Sequence, residues 1–262
     1  MNTAPQPGEH GRILTVFAAK GGCGKTTLAT NLAVVLNAAG ARRVCLVDLD
    51  LASGDVASML ALEPDRSLVD AVGAGPLDAA TVSSLVTPVW PSLDCILAPA
   101  APGGAAEVPS SLVEELLAIL PSMYDYVVVD TPAQFSAHVL AALDSSHQHV
   151  LLTTPERPAL QNLRLTLDML DMLGYRRESR SVVLNRCDSR VGLTADDVEK
   201  AIKHSIAGEL PSGWDVSASI NHGVPLTAAA PGHRFSLAVN RFVENHVTTT
   251  HSASPAEPRW PW

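Results

Sequence analysis

Two lysines, three glycines and two threonines fall within eight residues near the start of the chain, Lys20-Gly21-Gly22-Cys23-Gly24-Lys25-Thr26-Thr27. Glycines allow several backbone N–H groups to approach one anion, and a helix starting directly after them presents its positive end to the same charge. A lysine at that helix start reaches the β- and γ-phosphates of a nucleotide, and the hydroxyl beside it ligates magnesium. On this chemistry Gly21, Gly22, Cys23, Gly24 and Thr27 line a phosphate site, Lys25 supplies the cation and Thr26 the metal ligand. The strict spacing G-x-x-x-x-G-K-[ST] is not met, because Ala19 stands at the first glycine's place with a second lysine, Lys20, beside it.

Further polar residues stand at the ends of apolar runs. Asp130 follows Tyr126–Val129, where a carboxylate opposite a phosphate loop holds magnesium through a water. Asp48 and Asp50 follow the run 43–47 with period-two spacing, which puts both carboxylates on one face; aspartates in that position also cap helices. Asn185 ends Val-Val-Leu-Asn-Arg, and its amide matches the donor and acceptor edge of adenine, although strand-end asparagines also serve turns. Four cysteines, Cys23, Cys45, Cys95 and Cys187, are scattered without a C-x-x-C pair and point to neither a disulfide framework nor a metal centre. Cys23 reads as a small filler, and His147 and His149, at a strand entrance, as solvent-exposed.

These residues need strands and helices to position them. Ile13–Phe17 reads as a buried strand, and Leu28, Leu32, Val35 and Leu36 as the apolar stripe of a helix closed by Gly40. Further strands are expected at 43–47, 93–98, 126–129, 149–152, 181–184 and 206–210. Helices are expected at 67–72, 77–86, 110–120, 159–173, 194–204 and 235–246. Strands that are almost wholly apolar and alternate with helices predict a three-layer α/β fold. Its mostly parallel sheet is covered on both faces, and the active edge lies at the strands' C-terminal ends.

The 262 residues, 47% hydrophobic and 4% aromatic, suit one large domain over residues 12–247, between disordered termini at 1–11 and 248–262. With no long apolar run and no apolar leader, a cytoplasmic protein is expected. A net charge of −9 disfavours a surface built for nucleic-acid phosphates. The run Arg176, Arg177, Arg180, Arg186 and Arg190 reads as a solvated face beside the nucleotide.

The pattern K-G-G-x-G-K-T-T, with its lysine before the glycine pair, resembles the deviant Walker A motif of the MinD/ParA ATPases. The resemblance implies a P-loop NTPase fold, slow and partner-stimulated hydrolysis of ATP with Mg2+, and an ATP-bound homodimer in which Lys20 reaches across to the partner's nucleotide. It also implies that Asp48 lies near the magnesium, that Asp50 positions or activates the attacking water, and that Arg186 and Pro211 join Asn185 around the base. The segment Thr131–Phe135 looks like a switch that responds to the γ-phosphate.

Several stretches look like the CpaE/TadZ branch, whose members help localise and assemble pili and overlap septum-site-determining proteins. They are Asp48–Val56, Ser67–Ala71, Ile96–Pro99, Asp125–Thr131 and Asn221–Leu226. Members of that branch usually carry a receiver-like N-terminal domain, whereas about ten residues precede the first strand here. The expected role is spatial positioning or assembly of a pilus, secretion or division apparatus through a protein partner. Membrane contact would be weak or indirect, with recruitment to the inner membrane face or a cell pole. The alternatives are a chromosome or plasmid partition ATPase that binds DNA as an ATP dimer, and a nucleotide-holding scaffold without turnover.

Overall fold

Apolar runs separated by amphipathic ones give, in chain order, β1 (Arg12–Phe17), α1 (Lys25–Asn37), β2 (Val44–Asp48), α2 (Asp55–Met59), α3 (Ala79–Leu85), β3 (Thr87–Trp90), β4 (Leu93–Ile96), α4 (Ser110–Met123) and β5 (Tyr126–Asp130). They continue with α5 (Ala137–Asp144), β6 (Gln148–Thr153), α6 (Arg157–Met172), β7 (Arg180–Asn185), α7 (Ala195–Ile202), β8 (Ile206–Leu210), α8 (Trp214–Asn221), α9 (Leu226–Ala229) and α10 (Arg234–His246). The structure, a computed structural model, describes residues 11–248 apart from 64, 74, 101–102 and 189–192. Nearly all of the two termini expected to be disordered, and Arg190, lie outside the described residues.

The strands form one eight-stranded sheet in the order β3-β4-β2-β5-β1-β6-β7-β8. All pairings are parallel except that of β3 with β4. The antiparallel edge was not legible in the sequence. β3 is four residues long and contains Pro88, which cannot donate to a ladder and is tolerated because the strand is at the edge.

Side chains alternate across the sheet and build two apolar layers. Leu14 and Val16 of β1, Leu46 of β2 and Val128 of β5 face Leu28, Leu32 and Leu36 of α1 and Phe242 of α10. Ile13, Val47 and Val129 face the other way, toward Leu112, Val113 and Leu116 of α4, while Leu151 and Leu184 meet Leu163 and Leu167 of α6. No helix of the described residues is long and apolar enough to cross a membrane.

Helix α1 stops before Gly40. Ala38 takes the left-handed cap at φ 48°, and the Asn37 side chain makes this tolerable by accepting from Gly40 N–H at 2.8 Å and donating to Arg42 O at 2.9 Å.

The arginine run is not one face. Arg180 opens β7 and Arg186 follows its end, about 20 Å away at the usual strand rise. Arg180 is buried, pairs with Asp171 at 2.6 Å and donates to Tyr175 O, while Arg177 also pairs with Asp171. Hydrogen bonds from Arg180 and Arg177 hold the Asp171 carboxyl below its ordinary range.

The histidines are likewise not solvent-exposed. His147 Nδ1 accepts from Ile13 N–H at 3.1 Å, and His149 is 2% exposed, with Nε2 3.0 Å from Leu143 O and its ring edge-on to Tyr175. Leu143 O can only accept, so Nε2 carries the proton. Burial pushes the His149 pKa from 6.5 down to about 4. Below 6.5 the unfolded chain protonates while the buried ring stays neutral, so the stability this group contributes is full above that pH and lost as pH falls toward 4. The loss amounts to up to about 3 kcal/mol. Asp130, whose pKa is raised by burial, titrates with the opposite sign over part of this range. The measurement is therefore the difference in urea-unfolding free energy between wild type and His149→Gln, expected to shift in the variant's favour by about 2 kcal/mol between pH 7 and 4.5. A difference independent of pH would contradict the buried neutral ring.

Candidate functional site

The loop from β1 to α1 turns through Gly22 (φ 75°) and Gly24 (φ 94°), both in the left-handed region that favours glycine. Gly24 is the N-cap of α1 and offers no capping side chain, and the first turn contains no acidic residue. No side chain caps the N–H groups opening this 13-residue helix, the arrangement in which a helix start binds an anion. Lys25 and Thr26 are buried at the same point.

Asp48 and Asp130 are register partners on the neighbouring strands β2 and β5, at the sheet's C-terminal edge. By alternation they share the face of Leu46 and Val128, the side on which α1 packs. Both are fully buried. Asp48 accepts from the amides of Asp50 (3.0 Å) and Val56 (3.3 Å); burial first and then the neighbouring Asp130 carboxyl push its pKa well up. Neither oxygen of Asp130 makes a hydrogen bond of good geometry. Burial raises its pKa to about 7, opposed by the Thr26 hydroxyl and the Lys25 ammonium. Orphaned carboxylate oxygens beside a hydroxyl and a phosphate loop are the donor set a hard divalent cation takes, so these residues fit magnesium.

Lys20 and Asp50 occupy the rim, both half-buried. Among the described residues neither side chain forms an ion pair, while the Asp50 carbonyl accepts from Ser53 and Gly54 and turns the chain toward α2. The segment after β5 is fastened to β1 at both ends. Thr131 Oγ1 donates to Val16 O at 2.7 Å, and the Phe135 ring lies 4.6 Å from that of Phe17. Ser136 then caps α5, accepting from Val139 N–H at 3.3 Å.

Asn185 crosses from the end of β7 to the loop. Its Nδ2 donates to Cys23 O at 2.8 Å, its Oδ1 accepts from Arg186 N–H at 2.9 Å, and a Cβ on Gly24 would stand 2.7 Å from Nδ2. Arg186, at φ 57°, donates to Gly22 O at 3.2 Å. Asn185 and Arg186, two of the three residues expected around a base, are thus also buttresses of the loop, a role that no spacing reveals because it joins positions more than 160 residues apart. Beside them opens a cleft of about 130 Å³ between Thr27 and Leu28 of α1, Asn185 and Arg186, and Pro211 and Gly213 after β8. It brings together Gly24 of the loop and every residue expected around the base.

The family model for ParA, described as NUBPL iron-transfer P-loop NTPase, matches residues 9–247. The septum site-determining protein MinD of Thermotoga maritima is 26% identical over 231 residues, covering 83% of this chain and 81% of that protein. A ParA family ATPase from Chlorobium tepidum superposes with a TM-score of 0.83 at 26% identity, over 89% of this chain and 99% of the other. MinD from Pyrococcus horikoshii, complexed with Mg-ADP, shares the fold with a TM-score of 0.80 at 21% identity, over 92% and 97% of the two chains.

Proposed function

The chain belongs to the ParA family of P-loop NTPases, and on that premise we propose that it is an ATPase whose ATP-dependent homodimerisation acts as a positional switch. The observation that carries this reading is the pair of buried carboxylates in register beside Lys25 and Thr26, with Asp130 left unpartnered. A magnesium ion held by Thr26 and by Asp130 through water, with Asp48 nearby, would supply positive charge against that of the phosphates. Lys25 binds the β- and γ-phosphates together with the amides of Gly21, Gly22, Cys23, Gly24 and Thr27. Lys20 reaches the partner's nucleotide. Asp50 orients the water and draws its proton as oxygen attacks the γ-phosphorus in line and ADP departs.

The unit that does this is residues 12–247. Loss of the γ-phosphate releases the segment Asp130–Phe135 from its nucleotide-bound arrangement and changes the neighbouring helical surface, which a protein partner reads. The relatives named for septum-site determination support an output in division. The stretches similar to the CpaE/TadZ branch support a pilus or secretion apparatus, with the protein in the cytoplasm and recruited to the membrane or a cell pole.

Phosphate release is the test. Wild type is expected to hydrolyse ATP with magnesium and to prefer it to GTP. Asn185→Ala is expected to lower that preference several-fold, beyond any common loss of affinity caused by removing a buttress of the loop. An unchanged ATP-to-GTP ratio in competition binding would assign the base to other residues, and no hydrolysis by wild type under any stimulation would leave a scaffold.

A further inference from the structure

We propose that Asp188, Ser212 and Arg234 form a clasp that fixes the wall of the base cleft and so positions the nucleotide; the inference rests on the nucleotide reading above. Ser212 donates to Asp188 Oδ1 through both its amide and its hydroxyl, each at 2.6 Å. Arg234 closes the ring, pairing with Asp188 Oδ2 at 2.9 Å and donating to Ser212 O. Each member lines or adjoins the cleft without belonging to the phosphate machinery. Ser212 itself lines it between Pro211 and Gly213, Asp188 follows the lining Arg186 by two residues, and Arg234 precedes Phe235, another lining residue.

Three separate pieces of chain are tied by this ring: the turn after β7, the turn after β8 and the first turn of α10. Loops of this kind have little packing of their own. Two further ties run alongside it, Cys187 N–H to Leu210 O at 3.1 Å and His233 Nε2 to Asp215 at 3.4 Å. The hydrogen bonds from Ser212, followed by Arg234, hold the Asp188 carboxyl below its ordinary range, so it is charged at neutral pH. The one N–H of Ser212 is committed to Asp188, which fixes that peptide's orientation before any base arrives. Without the clasp, ordering the wall would be charged against binding of the base and not against binding of the phosphates.

The experiment is calorimetric titration of the full chain with ADP and with inorganic tripolyphosphate, which has no base. Arg234→Met and the nearly isosteric Asp188→Asn are each expected to weaken ADP about tenfold, equivalent to the ordering of a few side chains, with tripolyphosphate changing less than about twofold. KM for ATP should rise with kcat unchanged, and Arg234→Lys should recover part of the loss. Equal losses for both ligands, or no loss for ADP, would overturn the clasp while leaving the nucleotide reading standing. Wild type binding neither ligand would overturn both.

Discussion

Lys20→Ala is expected to leave ATP binding by the monomer within about threefold while eliminating the ATP-dependent dimer, whereas Lys25→Ala loses nucleotide about a hundredfold or more. The two lysines differ in placement. Lys25 is buried where α1 begins, among loop amides and close enough to Asp130 to influence its titration. A charge there contributes to phosphate binding within its own subunit. Lys20 is half-buried at the rim and in an ion pair with no described residue, and the proposed dimer assigns it to the partner's phosphate. A cation supplied in trans to a transferring phosphoryl group is worth about 10³ to 10⁵ in kcat, so turnover in Lys20→Ala should fall by that order. Nucleotide titration together with light scattering separates the cases. A Lys20→Ala protein that dimerises and hydrolyses like wild type would remove the shared site.

Asp50→Ala is expected to lower hydrolysis by about 10² to 10⁴, the usual worth of a positioned base, with little effect on binding. Asp50 is two residues beyond Asp48, and its backbone, not its carboxylate, makes the turn into α2. Its loss leaves Thr26 and Asp130 in place, so ATP still binds and the dimer accumulates. Equal hydrolysis by variant and wild type would take Asp50 out of the mechanism. With a net charge of −9, the trapped dimer should bind neither duplex DNA nor anionic vesicles at submicromolar concentration near physiological salt. Tight binding to DNA of arbitrary sequence would move the function to partition, and tight binding to vesicles to a membrane cycle.

Much of this architecture was legible because its strands are buried on both faces and therefore read as short apolar runs bounded by turn residues. Tyr126–Asp130 is the plainest case, and its terminal aspartate stands where the run predicted. The glycine turn from β1 into α1 was legible from its residue types, although the strict motif spacing is not met. Short elements whose stability comes from contact and not from pattern were not legible. Helix α2 is five residues long, α9 is four, and α5 is an eight-residue helix whose start is set by the Ser136 cap. β3 exists because an edge tolerates Pro88. His149 and Arg180 were read as exposed because their types suggest it. Burial was decided by Leu143 O and Asp171, partners set by the turns from α5 into β6 and from α6 into β7, which only the folded chain defines. The loop-bracing role of Asn185 and the Asp188 clasp were hidden for the same reason, since both join segments that meet only at the sheet's C-terminal edge.

The most direct measurement is the molar mass of the wild-type protein by multi-angle light scattering, with magnesium and either a slowly hydrolysed ATP analogue or ADP. The account predicts a dimer with the analogue and a monomer with ADP, with the dimer abolished by Lys20→Ala and retained by Asp50→Ala. A mass that does not respond to the γ-phosphate would contradict it.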